Sequence, residues 1–284
     1  MGPGAGIRHT TGMPTPPAIE FRRVSLAFDD LVVLRDLSFS IPAGAMRVLF
    51  GASGTGKSVI LKLILGLLRP DSGEIEVNGH RIDQLTEREL LPIRSGIGMV
   101  FQEMALFDSL TVAENVGFRL TEERGMSPDE IRARVEEVLG FIGMAEYVDR
   151  MPSELSGGQR RRVAIARAMA ANPPIVLLDD PITGLDPLIA TMVDDEIIKL
   201  RDLRQVTALL VTHQIRDAVY VARHRAERTP DGVRIVPADA AEVERVRFLV
   251  LRDGAMCFEG SADELLASRD PYLVEYMKDT LPPW

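Results

Sequence analysis

Residues 51–58 read GASGTGKS, with glycines, a lysine and a serine at the spacing of a loop that wraps phosphate groups. Gly51, Gly54 and Gly56 let the backbone turn until its N–H groups point inward at an anion. The apolar run before the loop predicts a strand, and residues 57–68 predict a helix whose N-terminal dipole adds to the same site. In that setting Lys57 pairs with the β- and γ-phosphates of a nucleotide, and the Ser58 hydroxyl ligates Mg²⁺. Ser53, Thr55 and Val59 complete the loop and the helix start. A strand before and a helix after separate this pattern from a Gly-rich turn that happens to hold a lysine.

A second cluster supplies carboxylates. Ile175–Leu178 is an apolar strand that ends in Asp179 and Asp180. Strand-end acids lie at the C-terminal edge of a sheet, where open α/β sheets bind ligands. Asp179 is expected to partner Mg²⁺ indirectly, from behind its ligands or through water. Asp180 is expected to orient or deprotonate an attacking water. Taken alone, Asp179-Asp180-Pro181 would be a turn after a strand; the phosphate loop upstream decides against that. A third cluster, Leu155–Gln159 (LSGGQ), precedes a helix and, taken alone, reads as an N-cap at Ser156.

The elements that must hold these residues follow from periodicity and turn chemistry. Residues 19–50 alternate as strands, with turns at Asp29-Asp30 and Pro42-Ala43-Gly44. Residues 74–82 predict a hairpin about Asn78-Gly79. Helical periodicity runs through 111–150, with starts at Thr111 and at Ser127-Pro128-Asp129-Glu130. Helices are also predicted at 157–171 and 187–202, with strands at 175–178 and 207–212. That alternation implies a parallel sheet covered by helices. Residues 224–247, broken by Pro230, Asp231-Gly232 and Pro237, predict a surface loop or small hairpin before a strand at Phe248–Leu251. Ser261 opens a further helix with a capping box to Glu264.

Composition bounds the setting. The chain has 284 residues, 46% apolar and 26% charged, which is ordinary for a globular domain. A net charge of −9 argues against a nucleic-acid-binding surface. Cys257 has no partner cysteine, which fits a reducing cytosol. No apolar run reaches the roughly 18–20 residues of a membrane span, and the N-terminus lacks the features of a signal peptide. Residues 1–17, rich in Gly, Pro and Thr, are expected to form a disordered leader. Work at a membrane would therefore run through a partner.

The ordered set GASGTGKS, Gln102 in MVFQE, LSGGQ, VLLDDP, GLDP at 184–187 and His213 in VTHQ resembles the motifs of ABC-transporter ATPase subunits over about residues 19–260. The resemblance implies an α/β P-loop NTPase: a RecA-like core, an antiparallel β-subdomain and an α-helical subdomain. It implies an ATPase domain over 18–260, with the helical subdomain at about 103–160, an insertion at about 224–247 and a C-terminal helix and tail at 261–284. ATP and Mg²⁺ are the implied ligands. Phe28 resembles the aromatic that stacks on adenine. Gln102 resembles the residue that reaches Mg²⁺ and the attacking water at the hinge of the helical subdomain. Ser156, Gly157, Gly158 and Gln159 resemble the signature that closes on ATP held by the opposite subunit. Asp186 resembles a residue that crosses the dimer interface, and His213 one that contacts the γ-phosphate. A homodimer is implied. Physics supports the split, because Ser156-Gly157-Gly158 offers a second anion-binding helix start while the chain's own loop already serves its own phosphates.

Two departures stand out. The family usually carries Glu where this chain has Asp180, one methylene shorter, so slow hydrolysis is expected. Ile182 replaces the usual Thr. Residues 53–75 and 98–120, together with ASRDPYLVEYMKD at 267–279, look like the ATPase of mammalian-cell-entry (MCE) lipid transporters. That likeness implies transmembrane permease subunits, an MCE-domain protein and the cytoplasmic face of the inner membrane. A small regulatory subunit is a further partner class it leaves open. Tyr272, Val274, Tyr276 and Met277 are expected to pack across the dimer.

Overall fold

Three short apolar strands lie at the centre, and their sequences require cover on both faces. The computed structural model describes residues 16–280 except Arg124 and Asp231. All but the last two residues of the expected leader fall outside that range.

In chain order the elements begin with β1 (Ile19–Phe28), β2 (Leu31–Ile41), β3 (Met46–Gly51), α1 (Lys57–Ile64), β4 (Ser72–Val77), β5 (His80–Arg81), α2 (Glu87–Arg94) and β6 (Ile97–Val100). Next come α3 (Val112–Glu122), α4 (Pro128–Phe141), α5 (Gly157–Met169), β7 (Ile175–Asp179), α6 (Pro187–Arg204), β8 (Thr207–Val211) and α7 (Ile215–Arg223). The chain continues through β9 (His224–Thr229), β10 (Gly232–Pro237), α8 (Ala240–Val243), β11 (Val246–Arg252), β12 (Ala255–Gly260), α9 (Ala262–Leu266) and α10 (Pro271–Thr280).

The central sheet runs β12-β11-β3-β8-β7-β6, parallel except for β12. A second, antiparallel sheet runs β2-β1-β4-β5. Each face of the central sheet has its own core. Met46, Val48 and Phe50 of β3 join the helices, while Leu49 joins the antiparallel sheet and α1. All four are at most 1% exposed, which is why β3 is apolar on both faces apart from Arg47.

Local signals place most element ends. Asn78 and Gly79 have φ of 49° and 76°, a primed hairpin turn. Thr111, Ser127 and Ser261 each close a capping box with the glutamate three residues on. The helix expected to reach residue 68 stops at Ile64, because the chain turns left-handed at Gly66, φ 62°. The helix predicted to 171 stops at Met169, and the one predicted to 202 continues to Arg204. Residues 224–247 fold as the hairpin β9–β10, then α8 and the start of β11, two residues ahead of the predicted Phe248.

Asn115 ties α3 to the segment before it. It is fully buried; Oδ1 accepts from Phe107 N at 2.8 Å, and Nδ2 donates to the carbonyls of Phe107, Leu110 and Thr111 at 3.0 Å each. Asn115→Ala leaves those groups buried and unpaired. The expected loss is about 2–3 kcal/mol of folding stability, read as a lower urea midpoint at unchanged slope.

Candidate nucleotide site

The loop between β3 and α1 is held open by its own side chains. Lys57 Nζ donates to the carbonyls of Gly51 and Ala52 at 2.7 and 2.9 Å, and Thr55 Oγ1 donates to Ala52 O at 2.9 Å. Gly56, the residue before α1, has φ 96°, and a Cβ there would sit 3.0 Å from Val33 and Leu34 side chains. A Cβ on Gly51 would lie 2.6 Å from Thr55 Oγ1 and 2.9 Å from Leu251 O. Larger residues would push the loop out of this shape.

Across the sheet edge, β7 delivers Asp179 and β8 delivers Thr212 and His213. Ser58 Oγ and Asp179 Oδ1 are 3.5 Å apart. Two oxygen donors at the mouth of the phosphate loop are the chemistry that suits Mg²⁺, so the residues fit that ion. Asp180 sits in the left-handed region, φ 48°. Its Oδ2 lies 2.7 Å from His213 Nδ1, and its Oδ1 accepts from Thr212 Oγ1 at 3.2 Å. Burial lowers the Lys57 pKa, against the pull of Asp180 and Asp179. Burial raises the Asp179 pKa, against the hydrogen bond from Ser58.

Ser53, Gly54, Gly56, Lys57, Ser58, Val59, Gln102, Asp179, Asp180 and His213 line one cavity of about 600 Å³. Ten predicted residues from four separate stretches thus converge. Ala52 of the loop completes the wall with Val33 and Val211, which were not singled out from sequence, and with Tyr276, which was expected at the dimer interface. A further cavity of about 460 Å³, lined by Arg201, Arg225 and Arg245, lies at the N-terminal end of β3. That is the wrong end of a parallel sheet for a ligand of this kind.

The signature residues form a second cluster outside that wall. Ser156 caps α5, its Oγ accepting from Gln159 N at 3.3 Å, and Gln159 Oε1 accepts from Ser156 N at 2.8 Å. Gly158 packs against α6 so closely that a Cβ would meet Ile189 Cγ2 at 2.2 Å. Asp186 caps α6, its Oδ1 accepting from Leu188 N and Ile189 N at 3.1 and 3.2 Å. One chain therefore carries a phosphate cradle and, apart from it, a capped helix start beside Asp186.

The family model for ABC transporters matches residues 34–183, slightly more than half of the chain. The chain belongs to the ABC transporter family. It is an ABC-type ATPase domain, and ATP with Mg²⁺ is its ligand. It is 39% identical over 209 residues to the probable ribonucleotide transport ATP-binding protein mkl of Mycobacterium tuberculosis, covering 74% of this chain and 58% of that one. The chain thus spans less than two thirds of that relative. It is 35% identical over 280 residues to protein TRIGALACTOSYLDIACYLGLYCEROL 3, chloroplastic, of Arabidopsis thaliana, covering 93% of this chain and 74% of that one. Among solved structures it resembles the ATP-binding cassette MJ0796, captured as a dimer after hydrolysis with ADP and phosphate. That match has a TM-score of 0.70 and 32% identity, and covers 86% of this chain and 98% of that one.

Within this ABC domain the C-terminal tail is placed differently from expectation, and Phe28 stands apart from the cavity. Phe28 ends β1, 44% exposed, and does not line the cavity. The C-terminal tyrosines fold back onto their own chain instead of standing free to cross a dimer. Met277 and Leu273 are buried in the helix-side core, and Val274 is half-buried. Tyr276 Oη lies 3.2 Å from Gly51 O and Tyr272 Oη lies 3.5 Å from Leu251 O, so α10 roofs the phosphate loop. Amphipathic spacing shows that a helix must bury a face but not which surface receives it. Burial pushes the Tyr276 phenol up to about 12, so it keeps its proton and donates at neutral pH. Tyr276→Phe is expected to lower stability by about 1 kcal/mol. The KM for ATP should stay within about twofold, because Lys57 still holds the Gly51 carbonyl. Thermal unfolding and steady-state kinetics check both.

Proposed function

We propose that this chain is the motor subunit of a membrane transporter and works as a homodimer. The observation that carries this is the separation of the phosphate cradle from the signature at Ser156–Gln159. A site split in that way is completed by a second copy. ATP bound in one chain's loop would be closed by the other chain's Ser156, Gly157 and Gly158, whose helix start favours an anion. Lys57 and the loop amides hold the phosphates, and Ser58, supported by Asp179, would hold Mg²⁺, which would supply charge neutralisation at the phosphates. Gln102 and Asp180 orient the attacking water, Asp180 takes its proton, and His213 steadies the Asp180 carboxylate. Asp186, already the cap of α6, approaches the partner at the same seam. Phe28, at the open end of β1, stacks on the adenine ring. In this reading residues 18–260 form the ATPase domain and about 103–160 its helical part.

The cargo is a lipid or another hydrophobic molecule, carried with permease subunits and an MCE-type protein at the cytoplasmic face of the bacterial inner membrane. Support comes from the sequence likeness over 53–75, 98–120 and 267–279. It comes also from a relative named for a diacylglycerol glycolipid that aligns with 93% of the chain. No helix among the described residues is long and apolar enough to cross a membrane, so attachment runs through a permease loop. Phe107 and Phe118, 42% and 39% exposed with ring centroids 4.6 Å apart, offer it an apolar seat. Polar-solute import is the second reading, favoured by the mycobacterial relative's name.

Purification of the tagged chain from native membranes in mild detergent, followed by mass spectrometry, tests the proposal. A multi-spanning permease with an MCE-domain protein is the expected result. A permease with a solute-binding protein would replace lipid by polar cargo. Recovery from the soluble fraction with no membrane partner would overturn the transport reading.

A further inference from the structure

Gln102 reaches the nucleotide cavity from a loop that lacks a strand or helix of its own. Phe101–Ala105 lies between the end of β6 and the approach to α3, and two of its residues adopt backbone angles that side chains disfavour. Met104 has φ 62° and Ala105 has φ 50°. Neither is Gly, Asn or Asp, the types that tolerate this region. Such conformations persist where the surroundings over-determine them, and they cluster at switch segments.

The surroundings here are two arginines of α5. Arg161 Nη1 donates to Phe101 O at 2.9 Å and to Gln102 O at 2.7 Å. Six residues on along the helix, Arg167 donates to Met104 O at 2.8 Å and to Ala105 O at 2.6 Å. Four carbonyls of one five-residue loop are thus held from one helix, and they include those of both left-handed residues. That helix is the one Ser156 caps.

Arg161 is an expensive way to fill a core. It is 2% exposed, its Nε has no hydrogen-bond partner, and it makes no ion pair among the described residues. An apolar side chain of similar volume would occupy the space without burying a charge. What an apolar residue could not do is grip the backbone at Gln102. Asp180 is close enough to oppose the effect of burial on the guanidinium. This buried cation therefore links the signature helix, the Gln102 loop and the carboxylate that faces the attacking water.

We propose that Arg161 and Arg167 are positioning residues that clamp the Gln102 loop to the signature helix, so that α5 sets where Gln102 stands in the nucleotide cavity. When the signature moves toward a phosphate, the clamp carries Gln102 with it, and a signature out of place withdraws Gln102 from the water. The step from clamp to turnover rests on the reading of Gln102 given above; the clamp itself does not.

The test uses the full chain. Arg161→Met keeps the stem and removes the donors. Its kcat for ATP is expected to fall by about tenfold or more at a KM within about twofold, because a displaced loop misplaces the water and leaves the phosphate cradle intact. In a Gln102→Ala background the same change should lower kcat by no more than about twofold, because the residue it positions is already gone. Amides 101–106 should exchange with solvent about tenfold faster or more in Arg161→Met and in Arg167→Lys, with α1 unchanged. Additive effects in the double variant, or unchanged exchange at 101–106, would overturn the clamp. If Arg161→Met does not fold, Arg167→Lys, at a half-buried position, carries the exchange test alone. If Gln102→Ala turns over at the parent rate, the catalytic reading of Gln102 fails, and exchange decides the clamp.

Discussion

Lys57→Met is expected to weaken ATP binding by at least about a hundredfold and to bring turnover below detection. Two charge-assisted hydrogen bonds at about 1.5–3 kcal/mol each are at stake, and a hundredfold corresponds to about 2.8 kcal/mol. Nζ occupies the mouth of the loop, on the carbonyls of Gly51 and Ala52. Methionine matches the stem but brings neither charge nor donors, so the loop loses both its own brace and its phosphate partner. Nucleotide titration by calorimetry reads the first loss and phosphate release the second. Binding within tenfold of the parent would remove Lys57 from the site.

The same residue sets a pH dependence. Burial is the largest influence on Lys57 and lowers its pKa below the ordinary 10.5. The protonated form is therefore the one the fold disfavours. That penalty is fully present below the lowered value and fades as pH rises toward 10.5. ATP affinity runs the other way. Above the lowered value the free site is neutral, and binding must first put a proton on Nζ. Affinity is expected to decline as pH rises through that window, with proton uptake visible as a dependence of binding heat on buffer ionisation.

Much of this site was legible in the sequence because its code is short-range. The loop 51–58 encodes its own turn, and β7 encodes the edge at which Asp179 must emerge. Capping boxes at Thr111, Ser127 and Ser261 mark helix starts in four residues each, and each is closed in the structure. The residues that escaped act over long separations. Tyr276 is expected at the dimer, but its contact with Gly51 spans 225 positions, and no local pattern points to it. Arg161 and Arg167 sit in a stretch that reads as an Arg- and Ala-rich helix. Their targets are backbone carbonyls, about 60 residues away and anonymous in sequence. The tail shows the converse: an aromatic or apolar residue announces burial or contact without naming the surface that receives it.

Asp180 is where a local departure should have the largest effect on rate. Aspartate is one methylene shorter than the glutamate usual in the family, and the structure holds it back further. His213 Nδ1 at 2.7 Å and Thr212 Oγ1 at 3.2 Å engage both of its carboxylate oxygens. An error of about 1 Å in such a group costs on the order of a hundredfold in rate. Asp180→Glu is therefore expected to raise kcat by tenfold or more, on the order of what a better-placed base regains. Because φ is 48° there, a side chain less suited to the left-handed region should also lower stability by about 1 kcal/mol. Asp180→Asn keeps the shape and removes the base, so kcat should fall by about a hundredfold or more while ATP still binds. Single-turnover phosphate release with the three proteins separates the cases. An unchanged rate in Asp180→Glu would mean that reach does not limit this enzyme. A faster Asp180→Asn would mean that the carboxylate restrains the water instead of activating it. If the expected order holds, the parent chain cycles slowly for a reason located in one side chain.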